Sequence, residues 1–251
     1  MRSSLSMTAI DEIAPDLFRL SVYVPDIDMQ FNHFLVRDDE PLLFHTGARQ
    51  LFPLVAEAVS KIIAVDRLRW VSFGHVESDE SGATNQWLAA APGSEVLFNG
   101  LGCMVSLNDL CDRPPVVAEA DAARSLGTHA VRTIATPHVP HGWEAQVLFD
   151  EVTRTLFCGD LFTQVGDGPA LVHGADLIQP ALDAEDMFGA TALTAATAPT
   201  LRTLAALEPR TLALMHGPAY AGDGRQALLD LADAYEARLD SSLRVSHSGA
   251  I

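Results

Sequence analysis

The sequence predicts an α+β fold in which two β-sheets pack together with helices outside. Short apolar strands come first, strands and helices then alternate, and the C-terminal part is mostly helical. Elements in this order bury their apolar faces as stacked layers around one core. The 251 residues include 48% hydrophobic residues and no Gly/Ser/Pro-rich linker. Layered folds of this kind reach about 250 residues as a single unit, so we expect one domain over residues 1–251.

Strands and helices in the first half of the chain are indicated by two different patterns. The strands are short runs of β-branched and aromatic residues bounded by turn residues, whereas the helices place apolar residues at helical spacing. The predicted strands are Leu17–Tyr23, Asn32–Val36, Pro41–Phe44, Leu68–Phe73 and Glu95–Phe98, and the predicted helices are Leu51–Val65 and Thr84–Ala91.

The second half of the chain starts with strands and ends with long amphipathic helices. Two of the strands form a predicted hairpin joined through Asp150–Arg154. The predicted strands are Thr133–Thr136, Gln146–Phe149, Thr155–Cys158 and Thr211–Met215, and the predicted helices are Gly189–Ala206 and Arg225–Leu239.

The charge of the chain excludes some classes of partner. Asp and Glu number 33 against 16 Lys and Arg, which gives a formal net charge of −17. Such a surface repels nucleic acid and anionic membranes, so we expect neither as a partner. No stretch reaches the roughly 20 apolar residues of a membrane span, and residues Met1–Pro15 lack the apolar core of a signal peptide. The three cysteines form no C-x-x-C pair, which favours a reducing compartment. We therefore expect a cytoplasmic protein.

One loop concentrates residues that can bind metal. His75, Glu77 and Asp79 stand at positions i, i+2 and i+4 directly after a predicted buried strand. In a tight loop this spacing can direct several side chains into one cavity. Imidazole nitrogen and carboxylate oxygen together suit iron, manganese or zinc. Taken alone, the motif is more often a solvated acidic loop.

Three later strand ends make a metal site the better interpretation of this loop. His141 lies in PHGWE, Asp160 in CGDLF and His216 in MHGPAY, each after a short apolar strand and close to a glycine. Strand ends in a layered fold gather along one edge, where loops carry function on a rigid base. Four such ends with ligand chemistry favour a metal site over a chance acidic loop.

With these motifs together, the chain resembles the metallo-β-lactamase superfamily over nearly its full length. Within it, the chain looks like the diiron branch, which comprises flavodiiron proteins and stand-alone oxygen-binding diiron proteins. The usual superfamily loop is H-x-H-x-D-H, and the diiron branch replaces its second His with Glu, as Glu77 does here. The stretches HGWEAQVLFD, TLFCGDLF and LMHGPAY also look like this branch. The resemblance implies an αββα sandwich of two mixed sheets with helices on the outer faces.

The same resemblance implies two iron ions, for which zinc or manganese are possible substitutes. A Glu in place of His adds a harder anionic donor, which favours iron or manganese over zinc. The implied ligands are His75, Glu77 and His141 for the first metal, Asp79 and His216 for the second, and Asp160 as a bridge.

Two further residues have open roles near this site. Glu80 stands where most flavodiiron relatives have a His at or near the second metal, so it either binds that metal or points away and leaves a water there. His45, in the HTG that ends a strand, stands where the superfamily often has an Asp that orients a metal ligand. We expect His45 to support a ligand rather than bind metal. His129 reads as a surface position.

Three functions are compatible with this site. The first is a redox enzyme that reduces O2 or NO, the second a module that binds O2 reversibly as a sensor, and the third a hydrolase of ester, lactam or thioester substrates. Glu77 disfavours the hydrolase, because hydrolytic relatives generally keep His there. Flavodiiron enzymes carry a flavodoxin domain, whereas this chain ends at Ile251 without one. Turnover is therefore expected to need an external electron donor such as a flavoprotein or rubredoxin, and relatives commonly form homodimers.

Overall fold

Fourteen strands form two seven-stranded mixed sheets in the computed structural model, which describes residues 7–120 and 122–248. The first sheet has the order β1-β2-β3-β4-β5-β6-β7 and the second the order β12-β14-β13-β11-β10-β9-β8. The strands are β1 (Ala9–Ala14), β2 (Leu17–Val24), β3 (Met29–Val36), β4 (Leu42–Phe44), β5 (Trp70–Ser72), β6 (Glu95–Phe98), β7 (Val116–Val117), β8 (Ala123–Ser125), β9 (Ala130–Ala135), β10 (Gln146–Asp150), β11 (Thr155–Phe157), β12 (Leu171–His173), β13 (Thr211–Ala213) and β14 (Ala219–Ala221).

The helices follow the connections that the sheets require. Strands β1 to β4 form an antiparallel meander, whereas β4 to β7 are parallel and need crossover connections. The helices are α1 (Phe52–Ser60), α2 (Ser78–Ser81), α3 (Thr84–Ala90), α4 (Gly100–Gly102), α5 (Asn108–Leu110), α6 (Ile178–Phe188), α7 (Thr197–Ala205) and α8 (Gly224–Ser248), with a π-helical segment at Cys103–Leu107 and 3-10 turns at Pro25–Ile27 and Val65–Arg67.

A core between the sheets holds the two halves of the protein together. The ring of Phe157 in the second sheet packs against Phe34 and Phe44 of the first, with centroids 5.6 and 5.3 Å away. All three side chains are fully buried, and each such side chain contributes about 1.5–3 kcal/mol on leaving water. The sheets therefore pack face to face.

Helices cover the outer face of each sheet. Leu35, next to Phe34 in β3, points to the opposite face and packs in a cluster with Val55 of α1 and Trp87 of α3, as alternation along a strand requires. On the second sheet, residues of β10 and β11 pack in a cluster with α6, α7 and α8. The predicted αββα order is confirmed.

One predicted helix is wrong over its first half. The structure has a helix at Ile178–Phe188, a loop over residues 189–196, and α7 only from Thr197, instead of a helix over Gly189–Ala206. Gly189 ends α6 in the left-handed region at φ 58°, which is the usual helix stop. The Thr197 hydroxyl accepts a hydrogen bond from Thr194 N at 3.0 Å, and such local bonds compete with helix formation. The sequence does not predict the short strands β7, β8, β12 and β14, since two or three residues show no alternation.

The strand ends are placed as the metal-site prediction needs. His75, Asp160 and His216 each lie three residues beyond the last residue of β5, β11 and β13 respectively. Strands β11 and β13 are parallel, and β9 runs the same way as β11 because both are antiparallel to β10. The loop after β9, which holds His141, therefore opens at the same end. No helix of the described ranges is long and apolar enough to cross a membrane.

His129 is a further correction to the sequence reading. It was expected at the surface, but it is only 4% exposed. Its Nδ1 lies 2.8 Å from Oδ2 of the fully buried Asp150. The Thr153 hydroxyl donates to the same carboxylate oxygen at 2.6 Å. This pair joins the start of β9 to the end of β10.

We expect the His129→Gln variant to lose about 1–3 kcal/mol of unfolding free energy near pH 6, because a buried carboxylate loses its charged partner. The hydrogen bond to Asp150 raises the pKa of His129 above its ordinary value. The stabilisation from the positive charge is therefore complete below the unfolded pKa of about 6.5 and is lost as the pH rises through the folded pKa. Urea unfolding from mildly acidic to mildly alkaline pH measures the difference in unfolding free energy between the wild type and the variant. If this difference does not become smaller at alkaline pH, the positive charge on His129 does not contribute to stability.

Candidate metal centre

Four of the predicted ligands form a tight cluster at the common strand end. One ligand atom from each of His75, Glu77, His141 and Asp160 lies within 4.8 Å of all the others. Oε2 of Glu77 is 2.9 Å from Nε2 of His75 and 2.9 Å from Nε2 of His141. Oδ2 of Asp160 is 3.7 Å from each of the same two nitrogens. Two imidazoles and two carboxylates thus face one point.

The other oxygen of Asp160 faces a second group of donors. Its Oδ1 lies 3.4 Å from Nε2 of His216, and that nitrogen lies 3.3 Å from Oδ2 of Asp79. Asp160 Oδ1 is buried and has no hydrogen-bond partner within the described part of the chain. The structure therefore brings all six predicted ligands together, with Asp160 between two groups of donors.

Local backbone structure explains how one short loop supplies a carboxylate to each group of donors. The chain is extended at Glu77, with φ −130° and ψ 157°, and α2 begins at the next residue. This change of direction points Glu77 towards His75 and His141, whereas Asp79 in the first turn of α2 reaches His216. Strand β5 before the loop is fully paired on both sides, so the loop rises from a rigid base.

His216 is oriented by a backbone carbonyl from the other sheet. Its Nδ1 lies 2.9 Å from the carbonyl oxygen of Gln30. A carbonyl only accepts, so Nδ1 carries a hydrogen and Nε2 is the nitrogen that faces Asp79 and Asp160 and that would bind a metal after losing its own proton. Sequence reasoning missed this contact, because every residue has a carbonyl and none is marked by its side chain.

Glu144 is a second residue that sequence reasoning missed. Its Oε1 accepts a hydrogen bond from the backbone N–H of Val76 at 3.0 Å, within the ligand loop. Its side chain is largely buried. The PHGWE stretch, which singled out His141, also contains this residue and was the signal available for it.

The carboxylates hold protons on the histidines when no cation is present. Burial lowers the pKa of His75, but the carboxylates of Glu80, Glu77 and Asp160 outweigh burial and raise it to about 12. Burial likewise opposes charge on His216, and Asp160 and Asp79 raise its pKa to about 10. Hydrogen bonds from His141 and His75 lower the pKa of Glu77. A metal cation offers these carboxylates the same positive charge that the imidazolium protons supply.

Glu80 does not face this cluster. Its side chain is fully buried, and its Oε2 accepts hydrogen bonds from the backbone N–H groups of Gly74, at 2.5 Å, and His75, at 2.8 Å. Its Oε1 lies 3.4 Å from Nδ1 of His75 and 3.5 Å from Nε2 of His45. Glu80 therefore contacts the edge of the His75 ring that is turned away from the other ligands.

The match to a known family agrees with this geometry. The sequence profile described as "ODP family beta lactamase" matches residues 29–217. The chain belongs to the ODP beta-lactamase family. No match was found among curated proteins.

Solved structures of flavodiiron proteins share the fold of this chain. The rubredoxin oxygen:oxidoreductase of Desulfovibrio gigas is 17% identical with a TM-score of 0.75, over 90% of this chain and 62% of that one. The metal-soaked flavodiiron core of Flv1 from Synechocystis is 20% identical with a TM-score of 0.77, over 91% and 60%. The chain thus spans about three-fifths of the length of these two proteins. The apo chemotaxis sensor ODP of T. denticola is 20% identical with a TM-score of 0.70, over 89% of this chain and 92% of the sensor.

We expect Asp160→Ala to abolish binding of two metal ions per chain, because this residue faces both groups of donors. Asp79→Ala, which removes a donor from one group only, should leave one ion bound. Metal analysis of both variants after anaerobic reconstitution with Fe(II) and desalting checks this, with the wild-type chain as reference. Two ions retained by Asp160→Ala would show that Asp160 does not bridge.

Proposed function

We propose that this chain is a non-haem diiron protein that binds and reduces O2 or NO with electrons from a separate donor. The observation that carries the proposal is the position of Asp160. One of its carboxylate oxygens faces His75 and His141, and the other faces His216. A carboxylate shared in this way is suited to holding two cations whose charges repel each other.

The donors around Asp160 fit a pair of iron ions. Three histidines and three carboxylates converge there, and a mixed set of imidazole nitrogen and carboxylate oxygen is typical of non-haem iron sites. Oδ1 of Asp160, which is buried and has no hydrogen-bond partner among the described residues, is the polar atom that a cation would satisfy. In this proposal His75, Glu77, His141 and Asp160 hold the first iron, and Asp79, His216 and Asp160 hold the second.

The charge of the site favours redox chemistry over hydrolysis. Two Fe(II) ions bring four positive charges, and Glu77, Asp79 and Asp160 return three negative ones. A nearly neutral site polarises a carbonyl group weakly, whereas its anionic ligands stabilise the ferric state. When bound, the iron pair would supply electrons to O2 or NO.

The two proposed iron positions differ in how exposed their protein donors are and in how many they have. His75 and His216 are buried, whereas Glu77 and His141 reach solvent on one side, with half of the Glu77 side chain exposed. The second position also has one protein donor fewer than the first. A small molecule would thus reach the site past Glu77 and His141, and a metal held by Asp79, His216 and Asp160 would have fewer protein donors to compete with it.

A second function, reversible O2 binding without turnover, has its own support. The chemotaxis sensor ODP of T. denticola aligns with this chain over most of both chains, whereas the flavodiiron proteins extend well beyond it. The rubredoxin oxygen:oxidoreductase of Desulfovibrio gigas supports the reductase. An external flavoprotein or rubredoxin donor, a homodimer and a cytoplasmic location stay predictions.

We expect protein reconstituted with Fe(II) to react with O2 and to hydrolyse ester, lactam and thioester substrates poorly. The experiment reduces the protein anaerobically, adds O2 or NO, and follows the iron absorption spectrum together with gas consumption. Asp160→Ala serves as the control that lacks the iron pair. Consumption of the gas with added donor supports the reductase, and a reversible spectrum without consumption supports the sensor. Efficient hydrolysis with no spectral response to either gas would overturn the redox proposal.

A further inference from the structure

We propose that Glu80 is a positioning residue that orients the metal ligand His75, supported by His45, and that it does not bind the second metal. The inference rests on the proposed metal centre. It concerns a residue whose role the ligand motif leaves open, because a carboxylate at this position has the chemistry to be a ligand. Its contacts show where that chemistry is used.

The backbone of Glu80 is anchored to the turn that follows β4. Its carbonyl oxygen accepts hydrogen bonds from Thr46 N at 2.6 Å, from the Thr46 hydroxyl at 2.9 Å and from Gly47 N at 3.3 Å. Three donors on one carbonyl fix this point of α2 against the neighbouring strand end. The side chain of Glu80 therefore starts from a fixed position.

The carboxylate of Glu80 is enclosed by backbone at its far end. Its Oε2 accepts from the N–H groups of Gly74 and His75. A Cβ at Gly74 would lie 2.8 Å from that oxygen, and a Cβ at Gly159 would lie 3.2 Å from the other oxygen. Two glycines at the ends of β5 and β11 thus leave the space that the carboxylate occupies.

The remaining oxygen of Glu80 lies between two imidazoles. Nδ1 of His75, Nε2 of His45 and Oε1 of Glu80 are all buried, and none has a hydrogen-bond partner in residues 7–120 and 122–248. Oε1 lies 3.4 Å from the first nitrogen and 3.5 Å from the second. With a metal bound, a hydrogen kept on Nδ1 of His75 beside Oε1 would leave Nε2, which faces Glu77 and Asp160, as the nitrogen that binds the metal. Metal-binding histidines commonly use such a carboxylate to set the tautomer and the ring orientation.

His45 closes the other side of the carboxylate. Its Nδ1 lies 3.1 Å from the carbonyl oxygen of Asn32, so this nitrogen carries a hydrogen. Its Nε2 lies 3.5 Å from Oε1 of Glu80 and donates to it only when the ring carries a second proton, so the neutral ring supports the carboxylate by packing. His45 is fully buried. Gly74, Gly159 and both imidazoles surround the carboxylate, which is fully buried, and the imidazole nitrogen that lies nearest to it is Nδ1 of His75 at 3.4 Å.

The test compares Glu80→Gln with Glu144→Gln in zinc titrations of the metal-free protein against a chromophoric chelator. Glu144 is the matched control, because its carboxylate also accepts from the ligand loop, at Val76 N, but faces no imidazole ring. We expect Glu80→Gln to keep two ions per chain and to weaken one of the two dissociation constants by roughly 10- to 100-fold. Glu144→Gln should change both constants much less.

Nitrogen-15 NMR of the histidine rings supplies a readout independent of affinity. In the zinc-loaded wild type, His75 should appear as the Nδ1–H tautomer with its hydrogen protected from exchange, and Glu80→Gln should remove that protection. His45→Gln, which leaves Glu80 in place, should produce a smaller loss of affinity in the same direction. It also tests the inference if Glu80→Gln does not fold.

Three outcomes would overturn the inference. Loss of one ion per chain in Glu80→Gln would make Glu80 a ligand. If Glu80→Gln changes neither the zinc dissociation constants nor the NMR signal of His75, Glu80 has no positioning role. If Glu144→Gln loses as much zinc affinity as Glu80→Gln, the effect of Glu80 is one of loop stability. A wild type that binds one ion would overturn the proposed iron pair separately, while the single constant would still report the link between Glu80 and His75.

Discussion

The mutual repulsion of four carboxylates at one end of the two sheets is the constraint on which this site depends. Glu77, Asp79, Glu80 and Asp160 come from two loops, and each faces an imidazole within 3.5 Å. Ionised carboxylates gathered in one site repel each other and are stable only beside positive charge. In the metal-free chain, protonated histidines supply that charge, and in the proposed function two iron ions replace the protons.

The fold meets this constraint by fixing the positions of the carboxylates and of the histidines that face them. The core between the sheets, with Phe157 against Phe34 and Phe44, aligns the ends of strands from both halves of the chain. Gln30 in the first sheet then orients His216, which follows a strand of the second sheet. A small displacement of one sheet against the other would separate donors that must share a cation, so the rigidity of the core is part of the metal chemistry.

Much of the site was predictable because ligand chemistry is carried by residue type and spacing. The H-x-E-x-D loop, and the single His or Asp at each of three later strand ends, are visible in the sequence, and parallel strands bring such ends together. The direction of Glu80 was not predictable. It depends on Thr46 and Gly47 at one end of the residue and on Gly74 and Gly159 at the other, and their proximity exists only in the folded chain.

The sequence by itself determined the layered αββα architecture and the identity of the ligand-bearing loops. Both follow from local hydrophobic patterns and from motifs that each lie within a few residues. Only the tertiary structure decided that His129 is buried against Asp150, that residues 189–196 form a loop, and that Glu80 turns from the second group of donors to His75. The physical reason is that burial and side-chain direction depend on partners supplied by distant strands, whose hydrogen bonds and packing outweigh local preference.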